Sequence, residues 1–324
     1  MNGVAVHVIE KSFLFIVNVF IYIIHARLIR KFRKIVGYYP NVAAPRKYHE
    51  RMIWRKIFDH NPFFVTFCDK LATKEYIRSV LPEAVMPKTL WTGVDVAQIP
   101  LPLRNEAVVL KANHGSSYNY FGRFGDAEMV GLKNLTEKWL QKNYGASKYE
   151  WGYFGARKLL YLEERIVPPA GEKIMDISVR CSHGAAVLCS VAIDNKMKEM
   201  KLTYFEVDGS RFRPLEKNNA DHSQLPDDFV LPSAFPLAVE YAKRLSLGID
   251  YARYDFLCAG DTIYPGEITV YPGAGMTSAD DEGIDDRIVK GWDMTQSWFV
   301  NTNHAYIKSI YARIVRKHFD QCVR

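Results

Sequence analysis

Cysteine is sparse in this chain of 324 residues, and the five present are poorly spaced for metal. Cys68, Cys181, Cys189, Cys258 and Cys322 form no CxxC pair and no His-rich cluster. That spacing argues against a disulfide framework or a structural zinc, and a reducing cytosol is the expected compartment. Several catalytic signatures are missing too. There is no GxxxxGK[ST] loop, no GxGxxG after a strand, and no GxSxG elbow around Ser116 or Ser117, so a Walker nucleotide site, a dinucleotide fold and a serine hydrolase all lack their sequence basis. Net charge is also missing from most of the chain. Residues 1–60 hold eleven Lys or Arg against three Asp or Glu, while the remainder holds 32 basic against 33 acidic residues. A nucleic-acid enzyme spreads cations along its binding lobe. Here they follow an apolar segment, and no nucleic-acid partner is expected.

That segment, Phe13 to Ile24, is apolar except for Asn18 and Tyr22, and Arg27, Arg30, Lys31, Arg33 and Lys34 come after it. Spanning a bilayer takes about twenty apolar residues, and Glu10 with Lys11 cuts this run short. A secretory signal places its cations before the apolar core, the reverse of this order. A helix lying in the membrane interface through residues 12–34 is the first expectation, with the basic cluster against anionic headgroups. A short anchor and a helix packed on protein are the alternatives. The first two leave the body on the cytoplasmic face of a membrane.

Several elements can be read from periodicity. A helix is expected around 49–59, then an amphipathic helix over Asp69–Leu81 with Asp69 at its start and Lys70 beside the first-turn amides, where anions gather. A strand at Ala107–Leu110 ends in Lys111 and is followed by a small-residue loop, Asn113–Asn119. An ammonium with exposed amides and hydroxyls suits a polyphosphate. His114 reads as a packed histidine. A helix is expected over Asn134–Tyr144, and Trp139, Tyr144, Trp151 and Tyr153 read as core. The strand Leu159–Leu162 ends in Glu163 and Glu164, at either a ligand-binding hinge or a solvated turn. Two strands flank Gly184, residues 195–227 read as long polar loops, and a helix stopped by Gly248 precedes residue 251. SADDEGIDD reads as an acidic loop, and the last thirty or so residues as helix.

The most informative stretch is Tyr251–Gly275, two β-runs folded about Ala259, Gly260 and Asp261. Alternation puts Arg253 and Asp255 on one face of the first run, and Glu267, Thr269 and Tyr271 on one face of the second. Asp255 and Glu267 are symmetric about Asp261, so the hairpin brings the carboxylates together. Such a pair suits a hard divalent cation. An ordinary polar hairpin is equally open on these residues alone.

In order, DKLATKEYIRSVL, VVLKANHGSS, KWLQKNYG, EWGY, LYLEERI, the run from Asp255 back to Tyr251, and GEITVYPGAG resemble the TupA-like branch of the ATP-grasp superfamily over roughly Asp69 to Gly275. The resemblance implies an α+β fold, two α+β subdomains clamping ATP, preceded here by an N-terminal apolar and basic helix. It implies a division into 1–37 (membrane-associating segment), 38–100 (N-terminal region), 101–165 (small subdomain with the phosphate loop) and 166–324 (C-terminal subdomain with the metal site). Lys70 and Lys111 would hold the nucleotide phosphates, and Ser116 and Ser117 would lie in the loop over the γ-phosphate. Glu163, Glu164, Arg165 and Ile166 would form the adenine hinge, and Asp176 would lie near the ribose. Asp255, Glu267 and Thr269 would hold Mg²⁺, and Arg253, with Lys111, would act on the transferred phosphoryl group. The chain departs from the pattern at Thr269, where Asn is common, at Ser178, where Lys is expected, and at Asp194-Asn195, where an Asp-Arg pair is expected.

The activity implied is an ATP- and Mg²⁺-dependent carboxylate–amine ligase working through an acyl phosphate, with a carboxylate substrate on a surface polysaccharide or its precursor and an amino acid or similar amine as the amine acceptor. A phosphotransferase acting on a glycan-related acceptor and a non-catalytic, membrane-associated scaffold are the rival readings.

Overall fold

The computed structural model describes residues 3–122, 124–194, 199–213, 224–276 and 282–323. Its chain order begins with helices α1 (Gly3–Ile24), α2 (Ala26–Val36), α3 (Tyr48–Ile57), α4 (Phe63–Cys68) and α5 (Lys70–Val80). Strands β1 (Thr89–Gly93), β2 (Val108–Ala112) and β3 (Asn119–Phe121), helix α6 (Asp126–Gln141) and strand β4 (Leu160–Glu164) follow. Then come β5 (Met175–Ser182), β6 (Ala185–Ile193), β7 (Lys201–Phe205), β8 (Arg211–Phe212), α7 (Phe235–Leu245), β9 (Ala252–Ala259), β10 (Thr262–Thr269), α8 (Glu282–Gly291) and α9 (Tyr306–Val323).

The strands form two sheets, β1-β4-β2-β3 and β10-β9-β5-β6-β7-β8, in which every pairing is antiparallel. Antiparallel sheets with helices gathered on their faces are the α+β architecture expected. The small sheet takes its edge strand β1 from residues 89–93, and α6 covers one of its faces. Val108, Leu110, Ala112, Leu160 and Leu162 pack there against Leu132 and Trp139. Residues of opposite parity, Lys111, Tyr161 and Glu163, take the other face. The large sheet buries Ile177, Val179, Tyr254, Phe256 and Ile268 against α7, α4 and α5. A third apolar cluster joins α2, α3, α8 and α9 around Trp54, Trp292 and Phe319.

Some expectations shift. Glu163 and Glu164 lie within β4, paired with Val109 and Val108, rather than beyond its end. Helix α6 starts at Asp126 and ends at Gln141, earlier than the periodicity suggested. The polar stretch 195–227 contains β7 and β8, and its residues 195–198 and 214–223 lie outside the described ones. In the acidic run, residues 278–281 are outside the described ones and the remainder belongs to α8. Tyr271 falls past the end of β10 and packs in the core with Phe64, so it does not share the face of Glu267. The cysteines are free; Cys68, Cys181, Cys189 and Cys258 are buried and Cys322 is exposed.

Helix α1 lies along the body on one face. Asn18 Oδ1 accepts from the Val42 and Ala43 amides, Ile21 is buried, and Phe13, Leu14 and Val17 pack on the helical cluster. Its opposite face exposes Phe15, Ile16, Val19, Phe20, Ile23 and Ile24.

Candidate functional site

The hairpin of β9 and β10 carries the acidic part of the site, and a bulge aims it. From Thr262 to Pro265, β10 pairs in simple register with Ala259 to Phe256; the register then slips so that Glu267 stands opposite Asp255 and Thr269 opposite Arg253. Gly266 is the extra residue, and a Cβ there would meet the Asp255 carbonyl oxygen at 3.2 Å. Before the bulge Ile263 points into the core; after it Ile268 does. A one-residue slip exchanges the two faces of a strand. Without it, Glu267 would point with Ile263 into the apolar layer.

Asp255 accepts four hydrogen bonds. Arg253 grips it twice, Nε to Oδ1 at 2.7 Å and Nη2 to Oδ2 at 2.8 Å. Ser178 Oγ donates to Oδ1 at 2.7 Å from β5, and Thr269 Oγ1 donates to Oδ2 at 3.1 Å. Burial alone lowers the Arg253 pKa, but the Asp255 charge more than reverses it, so the guanidinium is held firmly protonated. Ser178, where a Lys was expected, therefore orients a carboxylate instead of adding a cation. Asp176 lies on the same face of β5, half-buried, opposite Leu257.

Helix α5 links this hairpin to the small sheet. Lys70 Nζ lies 3.5 Å from Glu267 Oε1 and donates to the Gly115 carbonyl in the loop after β2. One turn later Lys74 donates to Glu163 Oε2 at 2.9 Å, and Lys111 also pairs with Glu163. Residues four apart on a helix share a face, so α5 lays its two ammonium groups between the sheets. Burial raises the Glu163 pKa, but Lys111 and Lys74 outweigh it and hold the carboxyl below its ordinary range. Lys74 is itself pulled down by burial, only partly offset by Glu163.

The start of α5 differs from expectation. Its amides are already taken: Lys70 N donates to the Asn113 carbonyl at 3.1 Å, Leu71 N to Asn113 Oδ1 at 2.8 Å, and Ala72 N to Asp69 Oδ1 at 2.9 Å. The helix terminus therefore cannot cradle an anion, and Lys70 acts through its side chain. Asp69 is fixed in turn by Arg157, Nε to Oδ2 at 2.7 Å. The loop that follows is tight. Gly115 has φ +88°, and a Cβ on it would come 2.8 Å from the Tyr144 ring. Ser117 sits at φ 66°, exposed, with Ser116 half-buried beside it. His114 is buried, its Nε2 3.0 Å from the Trp139 carbonyl, a packed histidine as expected.

The residues assigned to the hinge divide by role. The Glu163 side chain is committed to the two lysines. Glu164 accepts from the Lys88 amide at 3.0 Å and is half-exposed. Arg165 N donates to the Ala107 carbonyl at 2.9 Å, and Ile166 follows the strand.

Among the described residues no group of three or more His, Cys, Asp or Glu side chains could enclose a metal. The donors on the hairpin are two opposed carboxylates and a hydroxyl, all oxygen. That set fits Mg²⁺, which is commonly held by one or two carboxylates and completed by water and phosphate oxygens.

Sequence reasoning passed over two supporting residues. Lys74 had a signal, its spacing of four from Lys70. Arg55 had none. It is fully buried in α3, donates to the carbonyls of Tyr251 and Val270 at 2.9 Å each, and pairs with Asp250 at 2.7 Å. Those carbonyls flank the open end of the hairpin, so Arg55 fixes the strands that present Arg253 and Glu267.

No curated protein matches the chain. Among solved structures it is similar to D-alanine-D-alanine ligase from Helicobacter pylori, at 15% identity and a TM-score of 0.38, covering 69% of this chain and 61% of that one. The D-alanine-D-alanine ligase from Bacillus anthracis gives 17% identity and a TM-score of 0.41 over 71% of this chain and 69% of its own. VanG D-Ala:D-Ser ligase from Enterococcus faecalis gives 14% and 0.41 over 70% and 61%. The sequence model of the family described as TupA-like ATPgrasp matches residues 50–289, a span holding both sheets and every residue of the lysine and hairpin site. The chain belongs to the TupA-like ATP-grasp family.

Proposed function

We propose that this protein is an ATP- and Mg²⁺-dependent carboxylate–amine ligase that joins an amino acid or similar amine to a carboxylate on a surface polysaccharide or its precursor. The observation that carries the reading is the run of charge from Glu267 through Lys70 and Lys74 to Glu163 and Lys111. It brings three ammonium groups, the Glu267 carboxylate and a glycine loop to one seam between two sheets. Phosphoryl transfer needs mainly positioning and neutralisation of oxygen charge. Lys70 and Lys111 would neutralise the phosphates, and Arg253 would face the transferred group. Asp255 and Glu267, with the Thr269 hydroxyl, would hold Mg²⁺, which supplies charge neutralisation on the phosphate oxygens when bound. The substrate carboxylate oxygen attacks the γ-phosphorus, the bond to the bridging oxygen breaks, and ADP leaves with that electron pair. The amine then attacks the acyl carbon, phosphate departs, and the nitrogen loses a proton. Closure of the 113–119 loop would keep water from the acyl phosphate.

The test is incubation of the full chain with Mg·ATP and a panel of carboxylates, with hydroxylamine as amine. Carboxylate-dependent ADP and hydroxamate are expected, and Lys111→Met should lose ATP binding. A stable phosphorylated product formed without amine would establish a phosphotransferase instead, and absence of ATP binding would establish a scaffold.

We also propose that α1 lies on the cytoplasmic surface of a membrane. Support comes from its exposed apolar face, which continues into the basic Arg27, Arg30, Arg33 and Lys34 of α2. The window His7–Ile24 has a mean hydropathy of 1.7 and is 6% buried. Flotation with vesicles containing anionic lipid is expected for the full chain and not for Phe15→Ser/Phe20→Ser/Ile23→Ser. Equal flotation of both would remove the proposal.

A further inference from the structure

Two arginines stand side by side on the site face of the large sheet. Arg180 of β5 and Arg253 of β9 are directly opposite in register, an arrangement of like charges that works against pairing unless each is neutralised. Arg253 has Asp255. Arg180 has no such partner: its Nη1 donates to Ser190 Oγ at 3.3 Å, its guanidinium lies 5.2 Å from the Tyr204 ring centroid, and its residue is only 9% exposed. Among the described residues no carboxylate pairs with it. Both guanidiniums also counter the burial-driven rise in the Tyr48 and Tyr251 hydroxyl pKa values. A neutral hydroxyl and an aromatic face leave most of a guanidinium's donors unused. Those donors are left for a ligand to complete.

We infer that Arg180 is a specificity-determining residue that receives a second carboxylate of the non-nucleotide substrate, distinct from the carboxylate that reacts. The inference rests on the ligase reading, in which the phosphates of ATP are assigned to Lys70 and Lys111. It narrows the carboxylate substrate to a diacid. The planar fork of Arg suits a carboxylate held by two parallel hydrogen bonds, which a Lys at the same place could not reproduce.

Titration calorimetry on the full chain, with Mg²⁺ and a non-hydrolysable ATP analogue, tests it with glutarate and its monoamide as probes. The wild type should bind glutarate at least about tenfold more tightly than the monoamide, the scale expected for a charge-assisted contact. Arg180→Gln should bind the two alike, Arg180→Lys should keep part of the preference, and both should bind the analogue as the wild type does. If the Gln variant fails to fold, the Lys variant carries the comparison. A wild type that does not distinguish the probes, including one that binds neither, overturns the inference, as does an Arg180→Gln protein that still prefers the diacid. Hydroxylamine-dependent ADP release is read in parallel. Diacid preference without turnover removes the ligase reading and leaves Arg180 as an anion receptor, whereas turnover without preference removes the Arg180 role alone.

Discussion

At the scale of single residues, the site depends on charges balanced against burial. Glu163 is the clearest case, because its side chain is 8% exposed and neutralises both Lys74 and Lys111. Removing one partner of a buried ionic group costs about 3–5 kcal/mol, and Glu163→Gln should lose stability on that scale in urea unfolding. Adding Lys74→Met should recover part of the loss, because the more buried ammonium then leaves too. A second balance lies behind the hairpin. Burial pushes the Asp59 carboxyl up to about 8; Asp250 adds to the rise and Arg55 opposes it. With the folded pKa above the unfolded one, this group's stabilising contribution is complete below about pH 4 and is lost as pH rises through about 8. The wild type should therefore lose thermal stability relative to Asp59→Asn across that window, by at most about 1.4 kcal/mol per pH unit. Asp59→Asn should flatten the decline while still accepting from the Phe299 amide, which donates to Asp59 Oδ1 at 2.8 Å. Nothing in the sequence marks Asp59 as unusual, because its pKa depends on burial and on Asp250, brought to it from 191 positions away.

At the scale of elements, alternation made β9 and β10 legible and also identified the face on which Arg253, Asp255, Glu267 and Thr269 meet. The bulge at Gly266 that makes this face consistent was not legible, since the Pro265-Gly266 pair suits a turn as well as a bulge. The loop after β2 shows the same limit. Its composition announced an anion cradle, yet Gly115 is required for a reason found only in the structure: a positive φ and the Tyr144 ring against its α-carbon. Gly115→Ala should cost more than about 1 kcal/mol and weaken nucleotide binding, read by melting temperature and by titration with Mg·ATP. Unchanged affinity in that variant would detach the loop from the phosphate role given to it. Helix α5 was read correctly in extent, but its first amides are occupied by Asn113 and Asp69, partners that a helical pattern cannot reveal.

At the scale of the whole molecule, α5 is the strut between two sheets, touching the hairpin through Lys70 and the small sheet through Lys74. A ligand bound at that seam stabilises the fold by mass action, about 2.7 kcal/mol at one hundred times its Kd. Mg·ATP should therefore raise the melting temperature of the wild type. Lys70→Ala should abolish the shift, since it removes the group that joins Gly115 to Glu267; an undiminished shift would place the nucleotide elsewhere. The sequence by itself determined the alternation that builds both sheets, the segregation of positive charge into the first sixty residues, and the ordered motifs that belong to the family. Those are local properties, written in neighbouring side chains and their spacing. Only the tertiary structure decided that Ser178 would orient Asp255, that Glu163 would sit between two lysines, that Arg55 would brace the hairpin and that Arg180 would lie opposite Arg253. Each depends on register between strands or on burial between distant segments. A charged side chain's behaviour is set by what surrounds it, and sequence order does not specify those surroundings.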